Sequence, residues 1–96
     1  MNFHRKVAVI TGGAQGIGRE IAEQLMREGC AVAILDISDA LKVDVISAAD
    51  RIGGKIHFEV CDVADEQSVD RAVSAVVNTF GGIDYLVNGG EAFGFL

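Results

Sequence analysis

The sequence predicts an α/β chain, a doubly wound parallel sheet of about four strands with three helices, on three observations. Short apolar runs recur at Lys6–Thr11, Ala31–Asp36, Lys55–Val60 and Gly81–Asn88. The stretches between them carry apolar residues at helical spacing, and glycines stand where strands turn into helices or helices stop. An alternating strand and helix order favours a parallel sheet joined by right-handed crossovers. The expected strand order is 3-2-1-4, with the winding reversing between the first and fourth strands and a ligand crevice at their carboxyl ends.

The first strand, Val7-Ala8-Val9-Ile10, contains nothing polar, as a strand covered on both faces should. It runs into Thr11-Gly12-Gly13-Ala14-Gln15-Gly16-Ile17-Gly18, which reads as a phosphate-binding turn. Gly12 allows the tight turn, Gly16 lets the backbone approach a pyrophosphate, and Gly18 lets the next helix sit close to the sheet. The free N–H groups at that helix start then face the anion. The helix is expected from about Gln15 to Glu28, burying Ile17, Ile21, Ala22 and Leu25, and stopping at Gly29.

The second strand, Ala31–Leu35, ends on Asp36, eighteen residues after Gly18. An acidic residue at about that distance can accept hydrogen bonds from the adenosine ribose hydroxyls. It would also repel a 2′-phosphate, and neither Gln15 nor Ile37 is basic, so NAD is favoured over NADP. A middle helix is expected from about Asp39 to Ile52, with Ser38 as N-cap, Leu41, Val45, Ala48, Ala49 and Ile52 buried, and Gly53-Gly54 as its end. The third strand leads into Cys61-Asp62-Val63. Val69, Ala72, Val73, Val76, Val77 and Phe80 then mark one face of a third helix, capped by Asp65 or a neighbour and ended by Gly81.

The glycine spacing, G-x-x-x-G-x-G after Thr11, differs from the commoner G-x-G-x-x-G fingerprint and resembles the short-chain dehydrogenase/reductase family. A mononucleotide P-loop is excluded, because Gly13-x4-Gly18 is followed by Arg19-Glu20 and not by Lys and a hydroxyl residue. The resemblance covers about residues 5–88 and implies the cofactor-binding part of a Rossmann-like oxidoreductase that moves a hydride between a nicotinamide and an alcohol or carbonyl. It implies a cofactor held by Gly12, Gln15, Gly16, Ile17, Gly18, Asp36, Asp62, Val63 and Asn88. Asp62 would take the adenine amine and the Val63 amide a ring nitrogen. Gly81–Asn88 resembles the strand before the family's Asn-Asn-Ala-Gly turn, of which only Asn88 survives.

The family's reaction uses a Tyr, a Lys four residues later and an upstream Ser. Here Tyr85 is the only tyrosine, Gly89 stands four positions on, and Lys55 is the last lysine. Ser38, Ser47, Ser68 and Ser74 fall in other elements, so no catalytic residue is assigned. The chain is expected to bind cofactor without turnover, a small-molecule substrate requiring the family's C-terminal half. The stretch 89–96 is unlike the family's continuation, consistent with a shortened reading frame whose apolar fourth strand is left as an edge open to self-association. A noncatalytic nucleotide-binding or assembly module is the alternative. A phosphoacceptor receiver domain would need an acidic pair where Thr11-Gly12-Gly13 stands.

The 96 residues, half of them apolar, amount to a single domain, 1–96. A net charge of −6 argues against nucleic-acid binding, which relies on clustered cations. With no apolar stretch near the ~18 residues of a membrane span and no signal-like N-terminus, no membrane partner is expected and a cytoplasmic location is the default. Cys30 precedes the second strand and Cys61 follows the third, so parallel neighbours hold them at opposite sheet ends, beyond disulfide reach. No clustered ligand set accompanies them for a metal, and His57 reads as a packed or edge residue.

Overall fold

The structure, a computed structural model, describes residues 3–89. The divergent tail beyond Gly89 lies outside the described residues. The chain runs β1 (Val7–Thr11), α1 (Gly16–Arg27), β2 (Ala31–Asp36), α2 (Lys42–Ile52), β3 (Ile56–Val60), α3 (Glu66–Phe80) and β4 (Tyr85–Asn88). All strand pairs are parallel, and the sheet order is β3-β2-β1-β4, as expected. Val7 pairs with Ala31, Ala8 with Tyr85, and Val32 with Ile56.

The pleat sorts the core into two layers, because successive side chains leave a strand on opposite faces. Ile10, Val32, Ile34 and Phe58 point toward α1 and α2, where Ala22, Met26, Val45 and Ala49 meet them. Val7, Val9, Ala31, Ala33 and Leu35 point the other way, toward Ala72 and Val76 of α3. Burying each of the larger aliphatic side chains is worth about 1.5–3 kcal/mol. Both faces of β1 and β2 are therefore covered, which accounts for their uninterrupted apolar runs.

Three details differ from expectation. The α2 helix begins at Lys42, not at Asp39, and its N-cap is Leu41, with no side-chain cap bond. The cause is local: Asp36 Oδ1 accepts the Ser38 amide at 3.2 Å and Ser38 Oγ accepts the Ala40 amide at 3.1 Å. These short-range bonds hold residues 38–40 in turns that compete with the helix. Ile17, expected in the core, is 73% exposed. On α3, Val69, Ala72, Val76 and Phe80 face the sheet, whereas Val73 and Val77 are exposed on its flank.

The remaining boundaries follow elementary cap chemistry. Asp65 caps α3 by accepting the Gln67 amide at 3.0 Å, and Gly81 ends the helix at φ 89°. Gly53 ends α2 at φ 78°, a left-handed conformation that suits glycine. Cys30 and Cys61 are free and buried, at opposite ends of the sheet. His57 on the edge strand β3 pairs with Glu59 at 2.8 Å and meets Phe80 edge-on. Among the described residues no helix is long and apolar enough to cross a membrane, and no group of three or more His, Cys, Asp or Glu could hold a metal.

Candidate cofactor-binding site

The strands all point their carboxyl ends at one cleft of about 720 Å³. Backbone bonds lace those ends together: Gly12 N–H donates to Leu35 O at 2.7 Å, Cys61 N–H to Asp36 O at 2.9 Å, and Gly89 N–H to Thr11 O at 2.9 Å. The Thr11 hydroxyl donates to Asn88 Oδ1 at 2.9 Å, which fixes the β1 and β4 tips on each other and leaves the Asn88 amide nitrogen as a donor.

The turn after β1 is built on its glycines. Gly12 and Gly16 both adopt positive φ, 64° and 63°, where a Cβ is strained. A Cβ on Gly16 would meet no atom within 4 Å, so its face opens on the cleft. Gly18 works differently. A Cβ there would lie 2.6 Å from Gly12 O, so only glycine lets the first turn of α1 close on the loop.

The start of α1 carries no side-chain cap and no acidic residue in its first turn. Its first N–H groups lack intrahelical acceptors by geometry, and the helix dipole adds positive character there. Next to it, Asp36 is held at the tip of β2: Oδ1 takes the Ser38 amide, and Oδ2 takes the Ala14 amide at 3.4 Å. The carboxylate is thereby fixed toward the turn, and each oxygen keeps acceptor capacity.

Across the cleft the chain turns at Asp62–Asp65, with Asp65 N–H donating to Asp62 O at 3.0 Å. Asp62 Oδ1 accepts the Ala64 amide at 2.9 Å, so Oδ2 has no protein partner among the described residues. The Val63 amide likewise has none among them. Ile37 and Val63, 68% and 61% exposed, put two apolar side chains along the cleft.

Of the residues expected at the cofactor, Gly12, Gln15, Gly16, Ile17, Asp36, Asp62, Val63 and Asn88 all line this cleft. Gly18 lies beneath it, packed on Gly12, Gly13 and Gly89. The lining also includes Thr11, Leu35, Ile37, Cys61 and Gly89, which the motif reading did not assign. Their signal was adjacency, since each abuts an assigned residue in the sequence. The exposure of Ile17 follows from the same geometry: the first turn of α1 forms the cleft wall and not the sheet contact.

The family model for short chain dehydrogenases matches residues 6–92. The chain belongs to the short-chain dehydrogenase family. Among the relatives of this chain is an uncharacterised oxidoreductase of Mycobacterium tuberculosis, 45% identical over 93 residues, covering 96% of this chain and 37% of that protein. A sorbitol dehydrogenase of Cereibacter sphaeroides is 43% identical over 93 residues, covering 97% and 35%. In structure, an NAD+-bound xylitol dehydrogenase superposes with a TM-score of 0.85 at 34% identity, covering 91% of this chain and 34% of that one. The chain spans little more than a third of the length of the curated relatives it matches.

Proposed function

We propose that this chain is the NAD(H)-binding portion of a short-chain oxidoreductase, with the cofactor lying across the cleft from the turn of β3 to the tip of β4. The observation that carries it is Asp36, held by the Ala14 and Ser38 amides at the edge of a glycine turn whose helix start is open. The residues fit such a group. Gly12, Gly16 and the first N–H groups of α1 would hold the pyrophosphate, and Asp36 would accept from the adenosine ribose hydroxyls. Asp62 Oδ2 would accept from the adenine amine, the Val63 amide would donate to a ring nitrogen, and Ile37 and Val63 would cover the ring. Asn88, fixed by Thr11, would stand on the nicotinamide side.

A fixed carboxylate at the ribose rejects a 2′-phosphate by charge, which supports NAD over NADP. The NAD+-bound state of the xylitol dehydrogenase relative agrees with that preference. When bound, the cofactor supplies a hydride acceptor or donor for an alcohol or carbonyl.

The residues present support binding without turnover by this chain. Tyr85 pairs with Ala8 toward the opposite end of β4 from the cleft and stacks edge-on with Phe3 at 5.5 Å. Lys55 precedes β3, at the same far end of the sheet. Neither can reach the nicotinamide side. The outer edge of β4 has no strand partner among the described residues, and Leu86 there is 64% exposed, which supports self-association of the isolated chain.

Fluorescence titration of the 96-residue chain with NADH and NADPH tests the reading. Saturable binding that favours NADH is expected. Equal affinity for the two would overturn the preference, and no binding would overturn the assignment of a self-sufficient cofactor site.

A further inference from the structure

We infer that Ser68 is a positioning residue for the adenine end of the cleft, an inference that rests on the adenine reading of Asp62 and Val63. Ser68 Oγ accepts the backbone amide of Asp62 at 2.9 Å, six residues back along the chain. Ser68 is the third residue of α3, the position from which a capping-box Glu or Gln normally reaches the N-cap amide. Here the N-cap Asp65 uses its own side chain on the Gln67 amide, and the 62–65 turn folds the Asp62 amide back over the first turn of the helix. A long side chain is not needed; the one-carbon stem of serine spans the gap.

The consequence concerns orientation. Cys61 is fixed to the sheet through its amide on Asp36 O, and Asp65 is fixed to the helix as its cap. Residues 62–64 are strung between them, and their other internal ties are the Asp62 carboxylate on the Ala64 amide and the Asp65 amide on Asp62 O. Ser68 adds the tie that refers the Asp62 peptide to α3, which is itself anchored on the sheet by buried Ala72 and Val76. It sets the direction in which Asp62 Oδ2 and the Val63 amide face the cleft. The Ser68 hydroxyl touches no ligand in this scheme; it acts through the turn.

The test is calorimetric titration of the full chain with NAD+ and with nicotinamide hypoxanthine dinucleotide, in which an oxygen replaces the amine that Asp62 would recognise. Ser68→Ala is expected to shrink the preference for NAD+ roughly threefold to tenfold, the value of one neutral hydrogen bond. Ser68→Thr, which keeps the hydroxyl, is expected to restore it. A preference ratio unchanged in Ser68→Ala, with both affinities falling together, would mean a structural role only and overturns the inference alone. Absence of any preference in the unsubstituted chain overturns the adenine reading and this inference with it. Amide hydrogen exchange at Asp62 needs no variant: protection above that of an exposed loop amide supports the tie, and exchange at the exposed rate overturns it.

Discussion

Val7 and Asp84 clasp each other twice. The Asp84 amide donates to Val7 O at 2.8 Å, and Asp84 Oδ2 accepts the Val7 amide at 2.8 Å. The clasp sits immediately before the first β1–β4 pair, Ala8 with Tyr85, and so sets the register in which Asn88 reaches the cleft. Val7 is buried, so its N–H has no ready alternative in water. Asp84→Ala should therefore lower stability by about 1.5–3 kcal/mol, the range for a hydrogen bond to a charged group, and Asp84→Asn by less because it keeps an acceptor oxygen. Urea unfolding of the three proteins measures both. Two equal and negligible losses would show that solvent replaces the carboxylate.

The glycine turn offers a second discrimination. Gly18→Ala places a Cβ 2.6 Å from Gly12 O and 3.1 Å from Gly89 O, both backbone atoms that cannot swing aside. It should cost about 1–3 kcal/mol by overpacking and separate α1 from the turn. Gly16→Ala meets no atom within 4 Å and carries only the penalty of positive φ, about 1–2 kcal/mol. Its new methyl group enters the cleft, so NADH binding should fall more than stability does. Thermal unfolding beside NADH titration separates the two cases. A Gly16→Ala chain that binds NADH normally would move the pyrophosphate elsewhere.

Sequence carried the strands and the glycine turn after β1 because those signals are local: unbroken apolar runs in strands covered on both faces, and glycines where φ turns positive. It placed Asp36 and Asp62 at the cleft because each directly ends or follows such a run. The start of α2 was not legible, since Asp36 and Ser38 bond to nearby amides and delay the helix. Ile17 misled because helical spacing treats the first turn like the rest, whereas that turn borders a cleft. Val73 and Val77 misled because α3 rests on β2 and β3 along a narrower stripe than its apolar residues occupy. Contacts such as Thr11 with Asn88, or Ser68 with Asp62, follow no period and needed the fold to be seen.

Cys30 gives a prediction in pH. Its thiol is pushed above the ordinary 9.0 chiefly by burial, with the Ala8 backbone bond opposing and the Asp84 charge adding to the rise. The folded chain thus holds that proton more tightly than the unfolded one. Its contribution is present in full below the ordinary thiol value and is lost as pH rises through the raised one. The stability gap between the unsubstituted chain and Cys30→Ala should be constant at neutral pH and should move against the unsubstituted chain in alkali. Urea midpoints across that range decide it. A gap independent of pH would mean that the thiolate is accommodated without burial cost.

Asp36 is the sharpest test of cofactor choice, because its two oxygens already hold the loop amides of Ala14 and Ser38. In the proposed site, removing the side chain would take away a carboxylate acceptor for the ribose and the charge that would oppose a 2′-phosphate. Asp36→Ala should weaken NADH binding by about 1.5–3 kcal/mol, roughly tenfold to a hundredfold. NADPH should lose less or gain, so the preference narrows from both sides. Asp36→Asn separates the contributions: it retains an oxygen to accept a hydrogen bond but not the charge, so NADPH should improve relative to Asp36 while NADH falls by less than in the alanine variant. Parallel titrations with both cofactors read each shift. If both affinities fall equally in Asp36→Ala, the carboxylate serves the loop and not the ribose, and a measured preference for NADH would have to come from another residue of the cleft.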